Sequence, residues 1–183
     1  MSFFHESSSK MDVLISEAAL HKRIRELGAE ITAAYAGAGR ELVVAGVLKG
    51  SFLFFADLCR AIDLPLVCDF IGLSSYGNSE ETSGVVRITS DLTQPIKGAD
   101  VLIVEDIVDT GLTMTYLLNN LRTRLPASVR VCSLLHKPSR TRVAVPIDFL
   151  GFTIPDRFVV GFGLDHDGRY RNLPYIGVVR PKA

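Results

Sequence analysis

Between Val101 and Thr113 the chain reads VLIVEDIVDTGLT: four apolar residues, two adjacent carboxylates, a third carboxylate three residues on, then a Thr-Gly turn into a helical pattern. Glu105 and Asp106 directly follow an apolar strand. In an open parallel sheet, ligands bind beyond the carboxyl ends of the strands. Adjacent carboxylates there repel each other unless a cation or ligand hydroxyls satisfy them. Magnesium and a sugar diol are natural partners. The plainer alternative is a solvated pair at a strand end, and the pair alone does not decide between the two. Asp109-Thr110-Gly111-Leu112-Thr113 opens a helix. Free backbone N–H groups at a helix start, with glycine allowing close approach, form an anion site. Thr110 and Thr113 add hydroxyl donors; the alternative is a simple N-cap by Asp or Thr. This turn has no Lys and is not a Walker A loop. Asp109 lies beside the anion site and serves neither purpose, so its carboxylate is free to act as a general base or acid.

These residues need elements to hold them. Residues 1–11 (MSFFHESSSKM) are polar and serine-rich and are expected to form a loose arm. Ser16 is placed to cap a helix on which Leu20, Ile24, Leu27 and Ile31 recur at helical spacing, and Gly37 and Gly39 end it. Leu42 to Leu48 is nearly all apolar, as in a strand buried on both faces of a parallel sheet. After the turn Lys49-Gly50-Ser51, Phe52 to Ile62 reads as a second helix, and Leu66 to Leu73 as another strand. Ser74 to Gly84 (SSYGNSEETSG) cannot bury itself and reads as a loop; it is either a hairpin tip or disordered turn, or an active-site lid, and its length favours neither. Val85 to Thr89 resumes a strand, antiparallel across that loop. Val101 to Val104 is the clearest buried strand. Thr113 to Leu125 is read as a helix with Tyr116, Leu117, Leu121 and Leu125 on one side, stopped by Pro126. Ser128 to Leu135 is a further strand, and short strands surround Phe149, Val159 and Ile176. The alternation predicts an α/β fold, mainly a parallel sheet flanked by helices with right-handed crossovers, and the irregular end predicts a small flanking subdomain.

Bulk properties narrow the function. The chain has 183 residues, 48% of them hydrophobic, which suits one domain with a sizeable core. Lys+Arg and Asp+Glu are both 20, so no general basic field for nucleic acid exists. Cys59, Cys68 and Cys132 sit in apolar runs without a C-x-x-C pair and read as buried, reduced thiols, which implies a reducing compartment. No apolar run reaches about 18 residues, and a cytoplasmic protein without a membrane partner is expected. The four histidines are scattered and do not suggest a zinc site.

The whole segment Val101 to Thr113 resembles the 5-phosphoribosyl-1-pyrophosphate (PRPP) signature of type I phosphoribosyltransferases. Adenine and orotate enzymes usually carry a small residue or Thr at the position of Asp109, and the pyrimidine-operon regulator a Tyr; Asp resembles the hypoxanthine-guanine branch. The likeness extends over most of the chain but little of its first 40 residues. Leu48-Lys49-Gly50-Ser51 matches the branch's pyrophosphate loop, which often holds a non-proline cis peptide before the Lys. Ser75-Tyr76 matches the start of the mobile catalytic loop, and Lys137 the lysine that binds purine O6. Phe158-Val159 matches the pair whose aromatic ring stacks on the base. Asp165 and Arg171 match residues near the second metal and pyrophosphate. Leu112 departs from members with Lys there, which leaves the phosphate turn less positive. Taken singly, Lys137 reads as a surface lysine, Phe158 as core, Lys49 as a turn residue and Arg171, near Arg169, as part of a solvated face. Their order and spacing relative to the acidic segment raise all four together.

The resemblance implies the type I phosphoribosyltransferase fold as a single domain, 1–183, with a hood formed by the N-terminal part and about 146–183. It implies transfer of phosphoribose from PRPP to hypoxanthine or guanine, as in purine salvage, with Mg2+ held near Glu105, Asp106 and Asp165. Asp109 would serve as the acid–base group at purine N7. Lys49, Gly50, Ser75, Tyr76, Thr110, Gly111, Leu112, Thr113, Lys137, Phe158, Val159 and Arg171 would contact substrates. A homodimer or homotetramer is expected. The competing readings are a xanthine-preferring enzyme, an RNA-binding regulator on the same fold, and an inactive sugar-phosphate sensor.

Overall fold

In the computed structural model, residues 11–75 and 86–179 are described. Six strands form the main sheet: β2 (Leu42–Leu48), β3 (Val67–Ser75), β4 (Val86–Ser90), β5 (Asp100–Val108), β6 (Ser128–His136) and β7 (Phe149–Thr153). Their order is β4-β3-β2-β5-β6-β7. All neighbours run parallel except β4, which returns antiparallel to β3. The apolar strands have partners on both faces. Val44, Leu102 and Val104 pack with α1 (Glu17–Tyr35) and α2 (Phe52–Ala61); Val43, Val101 and Ile103 pack with α3 (Leu112–Arg122). The period-two alternation of a strand thus feeds two cores, which is why β2 is apolar throughout and β5 is apolar from Val101 to Val104.

From β2 the chain crosses through α2 to β3 on one side; from β5 it crosses through α3 to β6 on the other. The two crossovers diverge at the carboxyl ends of β2 and β5. Such a switch point leaves a crevice outside the sheet, the usual ligand position in open α/β folds. A second sheet, β1 (Met11–Ile15), β9 (Ile176–Val179) and β8 (Val159–Val160), is antiparallel. It ties the first described residues to the last.

Ser16 caps α1 as expected, its hydroxyl accepting from the Ala19 N–H at 3.3 Å. Several expectations need correction. Met11 pairs with Val179 in β1 and does not belong to a loose arm; residues 1–10 lie outside the described residues. Strand β5 runs on through Glu105 and Asp106 to Val108, so the acid pair is inside the strand and does not follow it. α3 ends at Arg122, and Leu125 adopts φ 56° and is 65% exposed, so it is not on the helix's apolar side. Short turns, Arg124 N–H to Leu121 O and Leu125 N–H to Arg122 O, end the helix before Pro126 does. β7 is an edge strand of the main sheet, which takes 149–153 out of the proposed hood. Ser74 and Ser75 close β3 opposite Arg87 and Val86; Tyr76 and the remainder of the loop read as a lid fall outside the described residues. Of the three cysteines only Cys132 is buried; Cys59 is half-buried and Cys68 exposed. Among the described residues no helix is long and apolar enough to cross a membrane.

Candidate active site

At the switch point lies a cavity of about 680 Å³. Lys49, Gly50, Glu105, Asp106, Asp109, Thr113, Lys137, Phe158, Val159, Asp165 and Arg171 all line it. Residues from Lys49 to Arg171 in the sequence therefore meet at one place. Thr110 and Gly111 line an adjoining recess with Asp109 and Thr113. Leu112 lines neither, and Ser75 is at the end of β3.

The Lys49–Gly50 turn is held from two sides. The Leu48–Lys49 peptide is cis, and the Ser51 hydroxyl donates to Val47 O at 2.6 Å. A Cβ on Gly50 would lie 1.6 Å from Asp106 Oδ2, and a Cβ on Gly163 would lie 2.0 Å from Gly50 O. Gly163 also has φ +101°, a conformation that favours glycine. The turn is thus wedged between the acid pair and the 161–163 segment. Gly50→Ala must push the turn or the carboxylate aside. Displacements of about 1 Å near reacting groups cost about 10²-fold; we expect a loss of that order in kcat/KM for PRPP. Steady-state kinetics with PRPP varied checks it, and wild-type values would mean that the turn has room to move.

Glu105 is only 8% exposed, and Asp106 is half-buried beside it. Burial raises the Glu105 carboxyl well above the ordinary carboxylate range, and the charge of Asp106 raises it further. Burial also raises Asp106, against the opposing effects of its bonds to Glu105 and the Ile107 N–H and of the Arg171 charge. The pair therefore resists carrying two charges unless something positive or protic joins it. The sign for stability follows. The folded chain keeps a proton that the unfolded chain has released, so stability falls as pH rises from the ordinary carboxylate range through the folded value. Glu105→Gln removes that loss. We expect it to raise the melting temperature of the ligand-free protein above neutral pH, by about 2–4 °C per kcal/mol recovered in a chain of this size. Calorimetry at pH 6 and 8 tests this; a variant that melts no higher than wild type at pH 8 would show the carboxylate already compensated.

Gly111, at the N-cap of α3, has φ 81° and supplies no side-chain cap. Its Cβ would collide with Val143 O at 2.1 Å. The alternative of an N-cap by Asp109 or Thr110 is therefore not what forms, although Thr110 Oγ1 accepts a long bond from the Leu112 N–H at 3.4 Å. First-turn N–H groups have no backbone partner along the helix, and Gly111, Thr113 and Met114 at this helix start line the recess together with Asp109 and Thr110. Thr110 O is fixed by the N–H groups of Arg142 and Val143 at 3.0 and 3.1 Å.

Lys137 is 9% exposed, so it is not the surface lysine its type suggests. Its ammonium stands 3.9 Å from Asp156. A single 3₁₀ turn, Pro138–Arg140, follows it and swings Arg140 back over the cavity. Arg140 Nε donates to Asp109 Oδ1 at 3.3 Å, and its Nη1 is 3.9 Å from Asp156. A charge chain Asp109–Arg140–Asp156–Lys137 thus crosses one wall. Phe158 is 56% exposed and meets His166 edge-on with centroids 5.2 Å apart. Asp165 pairs with Arg171 Nη2 at 2.7 Å and accepts from the Gly168 N–H at 2.7 Å, while Arg171 Nη1 donates to Gly163 O at 2.6 Å. Among the described residues no three His, Cys, Asp or Glu side chains gather closely enough to hold a metal ion, so Asp165 does not complete a set with Glu105 and Asp106. Arg140, Asp156 and Gly163 were not among the expected residues. Only the G-F-G spacing of 161–163 could have flagged one of them.

The family described as the phosphoribosyl transferase domain matches residues 15–167. The hypoxanthine phosphoribosyltransferase of Salmonella typhimurium is 50% identical over 169 residues, covering 92% of this chain and 95% of that one. The hypoxanthine-guanine phosphoribosyltransferase of Mycobacterium avium is 52% identical, covering 93% and 86%. A solved hypoxanthine phosphoribosyltransferase from Staphylococcus aureus superposes with a TM-score of 0.91 at 41% identity, covering 96% and 95%. With the cavity and its acid pair, these likenesses identify the chain as a member of the phosphoribosyltransferase family, on the branch of the hypoxanthine and hypoxanthine-guanine phosphoribosyltransferases.

Proposed function

We propose that this protein transfers the 5-phosphoribosyl group of PRPP to N9 of hypoxanthine or guanine, giving IMP or GMP and pyrophosphate in purine salvage. The observation that carries the reading is the meeting of the acid pair, Lys137 and Phe158 in one cavity at the sheet's switch point. Each group has a task in that reaction. Lys49 and Arg171 bring positive charge to the departing pyrophosphate. Glu105 and Asp106 accept hydrogen bonds from the ribose 2′ and 3′ hydroxyls. The 5′-phosphate sits on the first-turn N–H groups of α3, between the hydroxyls of Thr110 and Thr113. Phe158 lies against the base, and Lys137 donates to O6. Asp109 takes the N7 proton as N9 bonds to C1′ and the bond to pyrophosphate breaks.

Magnesium, when bound, neutralises charge on the leaving group. Glu105 and Asp106 fit it: a buried carboxylate pair short of positive charge is a suitable donor set, because magnesium commonly takes one or two carboxylates and leaves its other positions to substrate phosphates and water. Asp165 would first have to leave Arg171. A cytoplasmic location suits three free thiols. A homodimer or homotetramer belongs to the same reading, and sedimentation gives its size.

The test is a panel of hypoxanthine, guanine, xanthine and adenine with PRPP and magnesium, followed by absorbance. Consumption of hypoxanthine and guanine is expected. Turnover of xanthine alone would move the protein to the xanthine-preferring alternative, and turnover of no 6-oxopurine would overturn the proposal.

A further inference from the structure

Phosphoribosyl transfer as proposed uses none of the cysteines, yet two of them form a pair. Cys59 is near the carboxyl end of α2 and Cys68 near the start of β3, and their sulfurs are 3.7 Å apart. Cys68 is exposed, Cys59 is half-buried against the core below α2, and Cys132 is fully buried on β6. We propose that Cys59–Cys68 is a modification site that takes low-molecular-weight disulfides of the glutathione type and closes to an internal disulfide.

The two sulfurs have different parts. Only Cys68 meets solvent freely, so its thiolate attacks the reagent disulfide; one sulfur–sulfur bond breaks, one forms, and one reagent thiol leaves. Cys59 then loses its proton and attacks the Cys68 sulfur, expelling the second reagent thiol. Two protein thiols are oxidised to one disulfide, and one reagent disulfide is reduced to two thiols. Burial, with the neighbouring Cys68 charge, pushes the Cys59 thiol up to about 12. That contribution from Cys68 ends once Cys68 is in a mixed disulfide, while the larger effect of burial remains; the 3.7 Å approach of the two sulfurs is what directs Cys59 to the Cys68 sulfur. Closure brings the sulfurs from 3.7 Å to about 2.05 Å.

The pair is remote from the cavity. Cys68 stands beside Val44 in the β2–β3 register, whereas Lys49 follows the far end of β2. Five residues of strand separate them, about 16 Å at about 3.3 Å per residue. The crosslink is therefore expected to leave turnover unchanged, and mass, not activity, is the readout.

The full chain is incubated with glutathione disulfide at neutral pH and followed by intact mass and peptide mapping. The wild type is expected to pass through a glutathione adduct on Cys68 and to end two hydrogens lighter, with a Cys59–Cys68 peptide that dithiothreitol reverses and with Cys132 unmodified. Cys59→Ala should stop at a stable adduct on Cys68, and Cys68→Ala should leave Cys59 unreacted. A wild type that ends at the adduct, or that forms a covalent dimer through Cys68, would overturn the proposal, and this comparison needs no variant to fold.

Discussion

Asp109→Asn is expected to lower turnover by about two to four orders of magnitude, the usual contribution of a positioned acid–base group, with the KM for PRPP changed by no more than a few-fold. Asp109 lines the cavity between the acid pair and the start of α3, yet it caps nothing and does not belong to the buried pair. In the structure its contact is Arg140, at 3.3 Å. Asparagine preserves the size of the side chain and one oxygen facing Arg140, but it cannot take up a proton at N7. Two explanations for a loss of rate can be told apart. If Asp109 acts through the proton, Asp109→Asn should be slow at saturating PRPP and base while Arg140→Gln keeps most of the turnover. If the residue matters only as the partner of Arg140, both variants should fall together. Single-turnover and steady-state rates on the two proteins distinguish these outcomes. Asp109→Asn working at the wild-type rate would remove Asp109 as the acid–base group.

The parts of the fold that sequence revealed are those in which one physical signal dominates. β2 and β5 are buried on both faces, so their composition alone marks them. Ser16 caps α1 because a short polar side chain at that position satisfies an otherwise free N–H. The acidic segment was legible because its carboxylates, glycine turn and flanking residues follow the order of the phosphoribosyltransferase signature; the adjacent carboxylates alone left a solvated strand end open. Long-range contacts left weaker traces. β1 is five residues whose partner, β9, lies at the other end of the chain, so no local periodicity distinguishes it from the polar arm before it. The 3.9 Å approach of Lys137 to Asp156 joins residues well apart in sequence, so nothing local announced it. Arg140 reaches Asp109 only because a 3₁₀ turn folds it back. The boundary of α3 failed for a different reason: Leu125 continued a helical apolar spacing that the backbone abandons two residues earlier. Cys68 was misjudged because an apolar sequence neighbourhood does not fix which face of a strand is covered, and Cys68 is on the open part of β3.

Adenine should be rejected relative to hypoxanthine by about 10⁴–10⁵ in kcat/KM, the range reached by sites built around a specific hydrogen bond. Lys137 is the group responsible. Its ammonium has three donors and no acceptor, and at 9% exposure water cannot easily take the place of a missing partner. Asp156, 3.9 Å away, balances part of the charge but leaves donors to spare. A 6-oxo group accepts from the ammonium. The 6-amino group of adenine instead points N–H at a cation, leaving a buried donor on each side unpaired, at about 1–3 kcal/mol each and more for the charged one. Phe158 adds affinity for any purine and so no discrimination at position 6. Lys137→Gln gives a direct check, because its amide can donate to a 6-oxo group and can also accept from a 6-amino group. The loss with hypoxanthine should be about 10- to 100-fold, the value of one hydrogen bond to a charged group, while activity with adenine rises or holds, so that the gap narrows from both sides. The measurement is kcat/KM for both bases at saturating PRPP in the two proteins. A variant that loses activity equally with both bases would assign Lys137 to the shape of the site and leave the choice of base to other groups; efficient use of adenine by the wild type would remove the 6-oxopurine assignment itself.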